Sequence, residues 1–157
     1  MLTQCDVMEA IREFLKKEGY KVKWPAFAST TATHPELDKI ILTVHGEEFD
    51  APFYPGPAYR RPPARAMSED ECLNCLARLF YKIGSMAFAP DRRSGEVLGL
   101  GLPFTDNFWK HLKCLRGVLD HLNVIVFLVN GDGSVRVVTS VTNLGMFYQN
   151  RARTLKA

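Results

Sequence analysis

Two residue pairs in this chain have types and spacing suited to metal or redox chemistry: Cys72-x-x-Cys75 and His111-x-x-Cys114. Carried on two facing helices, that repeated i, i+3 spacing offers three sulfurs and one nitrogen, a set suited to tetrahedral zinc. A redox Cys-x-x-Cys needs its attacking thiol at a helix N-terminus, where the dipole lowers its pKa. Here Ser68-Glu69-Asp70-Glu71 reads as a capping box, which puts Cys72 about one turn inside a helix. Structural zinc pairs sit mostly on turns, whereas Cys72 and Cys75 fall beside core positions. The expectation is a pair of small buried cysteines, with neither zinc nor redox function.

Other reactive residues are scattered. His34 and His45 bracket one strand-like run, where either could orient a phosphate or a water. Neither has an identifiable Ser or Cys partner for a nucleophile–base pair. His121 falls near a helix C-terminus, which suits its charge. Gly99-x-Gly101 lacks the third glycine and following helix of a dinucleotide site. Trp24 and Trp109 are expected at the core or its rim. The basic residues are more organised. Residues 52–67 hold Arg60, Arg61 and Arg65 and no acid, and residues 143–157 hold Arg151, Arg153 and Lys156 and no acid. Subtracting those six from the net charge of +3 leaves −3 for the rest. Two basic patches on a slightly acidic body support modest phosphate binding, or serve only as solubilising charge.

The bulk numbers set the frame for these residues. A chain of 157 residues with ordinary globular composition is expected to be one domain with one core. No apolar run approaches the roughly 18–20 residues of a membrane span, and no leader peptide is evident at the start. We therefore expect a prokaryotic cytoplasmic protein with reduced thiols at Cys5, Cys72, Cys75 and Cys114. The expected division is an α/β domain over 1–142 and a basic tail over 143–157.

The elements follow from periodicity. Val7, Ile11, Phe14 and Leu15 give a first helix its apolar stripe, with Thr3 and Asp6 as caps and Gly19 at its end. Residues 20–24 read as a strand, 25–35 as a polar connection, and 38–44 (DKIILTV) as a β-branched strand. Residues 49–54 read as a short third strand, cut off by Pro52 and Pro55. Five prolines in 52–63 make a stiff extended loop. A second helix follows Ser68, with Leu73, Leu76, Phe80 and Ile83 facing the core. Residues 96–102 (EVLGLGL) read as a buried strand whose glycines permit close backbone approach. A third helix opens at Thr105 or Asp106, with Phe108, Leu112, Leu115, Leu119 and Leu122 inward. Residues 124–129 (VIVFLV) suit a strand covered on both faces. Asn130-Gly131-Asp132-Gly133 then turns a hairpin.

The order is helix, three strands, helix, strand, helix, strand, strand: an α/β fold with a mixed sheet flanked by helices. It resembles the PD-(D/E)XK, or restriction-endonuclease-like, nuclease superfamily. The residues that carry the likeness are 76–81 (LARLFY), the LGLGLP strand, the Phe108-Trp109 helix and the VFLVNGDGSV hairpin. The resemblance implies an acid on the second strand and an acid-x-Lys pair on the third. Those carboxylates would hold Mg²⁺, a hard cation that activates water. Asp38 fits the first acid, and Glu47, Glu48 or Asp50 the second. The lysine does not appear in register: Asp50 follows Glu48 and Pro52 follows Asp50 at that spacing. Lys82 is a displaced candidate. Asp38, Glu48 and Asp50 are thus either a metal cluster, active or relic, or solvent-facing turn acids.

The function expected from this is a nuclease-fold protein with impaired catalysis and weak, salt-sensitive association with DNA or RNA. Arg60, Arg61, Arg65, Arg151 and Arg153 would make the contacts. The alternatives are a protein-interaction or regulatory module, and an Mg²⁺-dependent nuclease with a displaced lysine. Nothing in the sequence sets the oligomeric state.

Overall fold

Capping chemistry starts each helix where the sequence signals it. The computed structural model describes residues 1–23, 29–49, 56–58, 60, 63–89 and 95–138. Helix α1 spans Gln4–Lys17. The Thr3 hydroxyl accepts from the Asp6 amide, and the Asp6 carboxylate accepts from the Thr3 amide at 2.8 Å. Gly19, at φ 91°, takes the left-handed conformation that ends the helix. Helix α2 spans Glu69–Ala87, with a second capping box between Ser68 and Glu71. Helix α3 spans Asp106–His121 behind the N-cap Thr105.

Six strands form one mixed sheet whose spatial order is the chain order: β1 (Lys21–Val22), β2 (Ser29–Thr33), β3 (Lys39–Val44), β4 (Glu96–Pro103), β5 (Val124–Val129) and β6 (Val135–Val138). The first three strands form an antiparallel meander. Strands β3, β4 and β5 run parallel, and β6 returns antiparallel. The two parallel steps move the same way across the sheet, so crossovers of one hand put α2 and α3 on the same face. Helix α1 covers the other. Two apolar layers result. Leu98, Leu100, Leu102, Val124, Val126 and Leu128 meet α2 and α3, while Ile40, Leu42, Val44, Ile125, Phe127 and Val129 meet α1. The described residues are therefore a single α/β unit, as expected.

Strand β4 shows why its sequence alternates Leu with Gly. Its leucines face α2 and α3, and its glycines face α1. A Cβ on Gly101 would lie 2.4 Å from the Ile11 Cδ1, so the glycine is what lets α1 sit down on the sheet. Gly46 plays the same part against the backbone. A Cβ there would lie 2.4 Å from the Gln4 amide nitrogen and 2.6 Å from the Thr3 carbonyl carbon.

The meander corrects part of the sequence reading. Residues 25–35 are not all connection, because they contain β2. Its sequence STTAT hides the strand from a hydropathy pattern, yet Thr30 and Ala32 are buried and the Thr30 hydroxyl donates to the Lys23 carbonyl. β-Branched threonine fits a pleated surface well. The run at 39–44 is thus the third strand, not the second. Past it, 47–49 pairs back with 65–67 only locally, through Phe49 to Arg65 and Met67 to Glu47 backbone bonds. Among the described residues a Glu48–Ala66 bridge is the strand-like pairing there; most of the expected strand 49–54 lies outside them. On α2, Leu73 is exposed, and Cys72, Cys75, Leu76, Leu79 and Ile83 form the buried face.

Candidate functional site

Strand β3 positions the acids proposed for metal chemistry, and it holds them apart. Asp38 is exposed and immediately precedes the strand, beside Gly95 at the N-terminal end of β4. Glu48 lies beyond the other end, half-buried. The strand between them is roughly 17 Å long. Lys82 is about 20 Å down α2 from the end that Glu48 occupies. No ion pair joins Lys82 to Asp38 among the described residues, and no three His, Cys, Asp or Glu side chains converge there. Asp50 lies outside the described residues. The described carboxylates therefore do not fit one divalent cation. Glu47 is otherwise engaged, accepting the Leu2 amide at 3.0 Å.

The cysteine pair is part of the core. Burial pushes the Cys72 thiol up to about 11 and the Cys75 thiol up to about 12. Cys114 is exposed and donates weakly to the Lys110 carbonyl. His111 faces Glu69, with its Nε2 at 3.5 Å from the carboxylate, without a well-formed hydrogen bond. The buried pair and the exposed Cys114 thus lie in different surroundings, and His111 faces Glu69. His34 is structural as well: its Nδ1 accepts from the amides of Glu36 and Leu37, closing the turn before β3. His45 Nδ1 lies 2.7 Å from the Gly46 carbonyl.

The arginines divide between structure and surface. Arg65 makes two bonds of 2.7 Å to Glu71, and its guanidinium lies 4.1 Å from the centre of the Phe49 ring. This pairing holds the Glu71 carboxyl down to about 2. Arg65 is therefore a latch between the 63–67 segment and α2, and is not free for a phosphate. Arg60 is exposed and makes no ion pair among the described residues. Arg61, Arg151 and Arg153 lie outside the described residues.

A second basic surface was missed from the sequence. Along α3, Trp109, Lys113 and Arg116 fall on one flank, and they line a crevice with Val126, Val138 and one acid, Asp120. Arg136 on β6 extends this edge: its guanidinium lies 5.0 Å from the Phe104 ring centre, and Phe104 meets Trp109 edge-on at 5.7 Å. Cations interleaved with aromatic rings can hold a phosphate backbone and stack on bases. The signal was present as the spacing of Trp109, Lys113 and Arg116, but only the fold adds Arg136. The opposite surface has the opposite charge. An open groove of about 650 Å³ between α1 and the β5–β6 turn is bordered by Asp6, Glu9, Glu13 and Asp132. That groove carries four acids and one base, Lys17, against two bases and one acid in the α3 crevice, so the balance of charge favours the α3–β6 side for phosphate.

No helix among the described residues is long and apolar enough to cross a membrane. No protein-family model matches the chain, and no curated protein matches it.

Proposed function

We propose that this chain is a restriction-endonuclease-like domain that has lost its catalytic carboxylates and associates weakly with nucleic acid. The observation that carries the loss of catalysis is the composition of the two strands that bear the acids in that superfamily. Strand β2 reads STTAT and strand β3 reads KIILTV, with no Asp or Glu in either. The order of elements, with a three-strand meander between helices and a parallel crossover behind it, supports the architectural part of the reading.

Association with nucleic acid is supported by the basic edge of Lys113, Arg116 and Arg136, with Phe104 and Trp109 between the charges. Arg60 adds a second contact from the proline-rich loop. Three or four phosphate contacts give weak binding that salt removes, because each contact contributes about 0.9 to the slope of log affinity against log salt. The test is fluorescence anisotropy of a labelled duplex and a labelled single strand at several salt concentrations. The combined variant Lys113→Ala, Arg116→Ala, Arg136→Ala should flatten the salt slope by roughly 2–3. An unchanged slope, or no binding by the wild type at low salt, sinks the proposal.

A second reading has its own observation. Tyr81 on α2 and Phe88 at its C-cap are each more than three-quarters exposed. Large apolar side chains grouped on one face mark a protein contact.

A further inference from the structure

The groove over α1 is apolar in its floor and acidic at its rim. Leu2, Ala10, Phe14 and Val135 are only half-buried there. Asp6, Glu9, Glu13 and Asp132 stand against one base, Lys17, a balance of −3. The partners these acids already have do not cancel it. Arg12 lies 3.7 Å from both Glu9 and Glu13, a loose surface pairing. Asp6 accepts from Thr3 and Asp132 from Ser134, both neutral. The groove also has a direction. Gly46, just past β3, approaches Thr3 and Gln4, so α1 begins at the C-terminal ends of the parallel strands. Asp6, in the first turn of α1, and Asp132, in the turn after β5, share that end. Phe14 and Lys17, in the last turn of α1, lie toward the other end. The chain leaves β6 at that other end, because Val138 pairs with Val126 near the start of β5.

The sequence beyond Val138 matches the groove in chemistry and in order. Residues 139–150 carry no charge and include Leu144, Met146, Phe147 and Tyr148. Arg151, Arg153 and Lys156 follow, with no acid among them. A chain that enters by Lys17 and Phe14 brings its neutral, apolar stretch past them and its bases to the acids beyond. The length allows it. Arg151 lies thirteen residues past Val138, a reach of up to roughly 43 Å. The way back from Val138 to Asp132 along β6 is about 20 Å. A segment joined to the groove's own wall also acts at an effective concentration on the order of millimolar, so weak contacts suffice. We propose that residues 139–157 dock into this groove of their own molecule, the apolar stretch on Phe14, Ala10 and Val135 and the bases against the acidic rim. The docked bases lie on the face opposite α3, so this does not rest on nucleic-acid binding.

Limited chymotrypsin digestion of the full chain at low salt tests it. Cleavage after Phe147 or Tyr148 is read by intact mass as loss of the last ten or nine residues. The cleavage rate follows the fraction of molecules with the segment undocked. Glu9→Lys with Glu13→Lys should raise that rate about tenfold, by setting like charges together. Arg151→Glu with Arg153→Glu should do the same from the other side. The fourfold variant should return toward the wild-type rate, because opposite charges meet again. Circular dichroism confirms that each variant is folded. Equal rates in the wild type and the Glu9→Lys, Glu13→Lys variant overturn the proposal, as does a fourfold variant cut no more slowly than either pair. Protection that grows with protein concentration assigns the groove to the tail of a second copy and overturns it too. So does protection that appears only on adding an oligonucleotide, which would put the tail on nucleic acid.

Discussion

Gly46 and Gly101 both admit α1 to the sheet, but a side chain at each would meet different resistance. At Gly101 the obstacle is the flexible end of Ile11, while at Gly46 it is the backbone of Thr3 and Gln4. Gly46→Ala should therefore lower stability by about 1–3 kcal/mol, and Gly101→Ala by less. Ile11→Val should recover part of the Gly101→Ala loss by removing the methyl group in the way. Urea denaturation measures all three, and a Gly46→Ala midpoint equal to wild type would refute the close approach. The cysteines divide just as sharply. Cys72 and Cys75 remain protonated and buried, whereas Cys5 and Cys114 are exposed. Iodoacetamide at pH 8 should label two sites in the native protein and four after unfolding, read by intact mass. Rapid native labelling of Cys72 or Cys75 would reopen the redox reading. The burial of that pair was legible from the capping box ahead of it. The structural use of Arg65 was not, because its partner Glu71 and its stacking ring Phe49 meet only once the chain folds back.

At the scale of elements, the helices and the strands with strong apolar patterns were legible. Helices α1, α2 and α3 start at the residues their capping signals indicate, and VIVFLV is a strand covered on both faces. The meander was not legible. Strand β2 is built from threonine and has no apolar alternation to reveal it, and its omission moved the apparent second strand into third place. That shift also misdirected the site, since the second acid was sought on the next strand or its turn, and Asp38 and Glu48 instead lie beyond opposite ends of β3. The start of α2 carries a prediction of its own. Glu71 pairs with Arg65 and caps Ser68, and its carboxyl is held at about 2 against an ordinary value of 4.5. Its ionised form thus favours the folded state above about pH 4.5, and that contribution is lost as pH falls through 2. Glu71→Gln should lower Tm at neutral pH and flatten the decline of Tm between those two values. An equally steep decline in the variant would place the acid sensitivity elsewhere.

Among the described residues the two faces differ in their balance of charge: acids outnumber Lys17 around the groove over α1, and bases outnumber Asp120 along the α3–β6 edge. This polarity was only partly legible: the net charge is small, and the sequence drew attention to arginines in the loop and tail rather than to a helix flank and a strand edge. Binding and the lack of cleavage are tested together by one gel. Supercoiled plasmid is incubated with the protein and Mn²⁺ at low and at moderate salt, then run with and without prior removal of protein. The expected result is a retarded band at about 20 mM salt that is lost by about 200 mM, with plasmid still supercoiled after deproteinisation. Nicked or linear plasmid, abolished by Asp38→Ala, would contradict it and restore a metal-dependent nuclease. Plasmid that is never retarded at any salt would contradict the binding half.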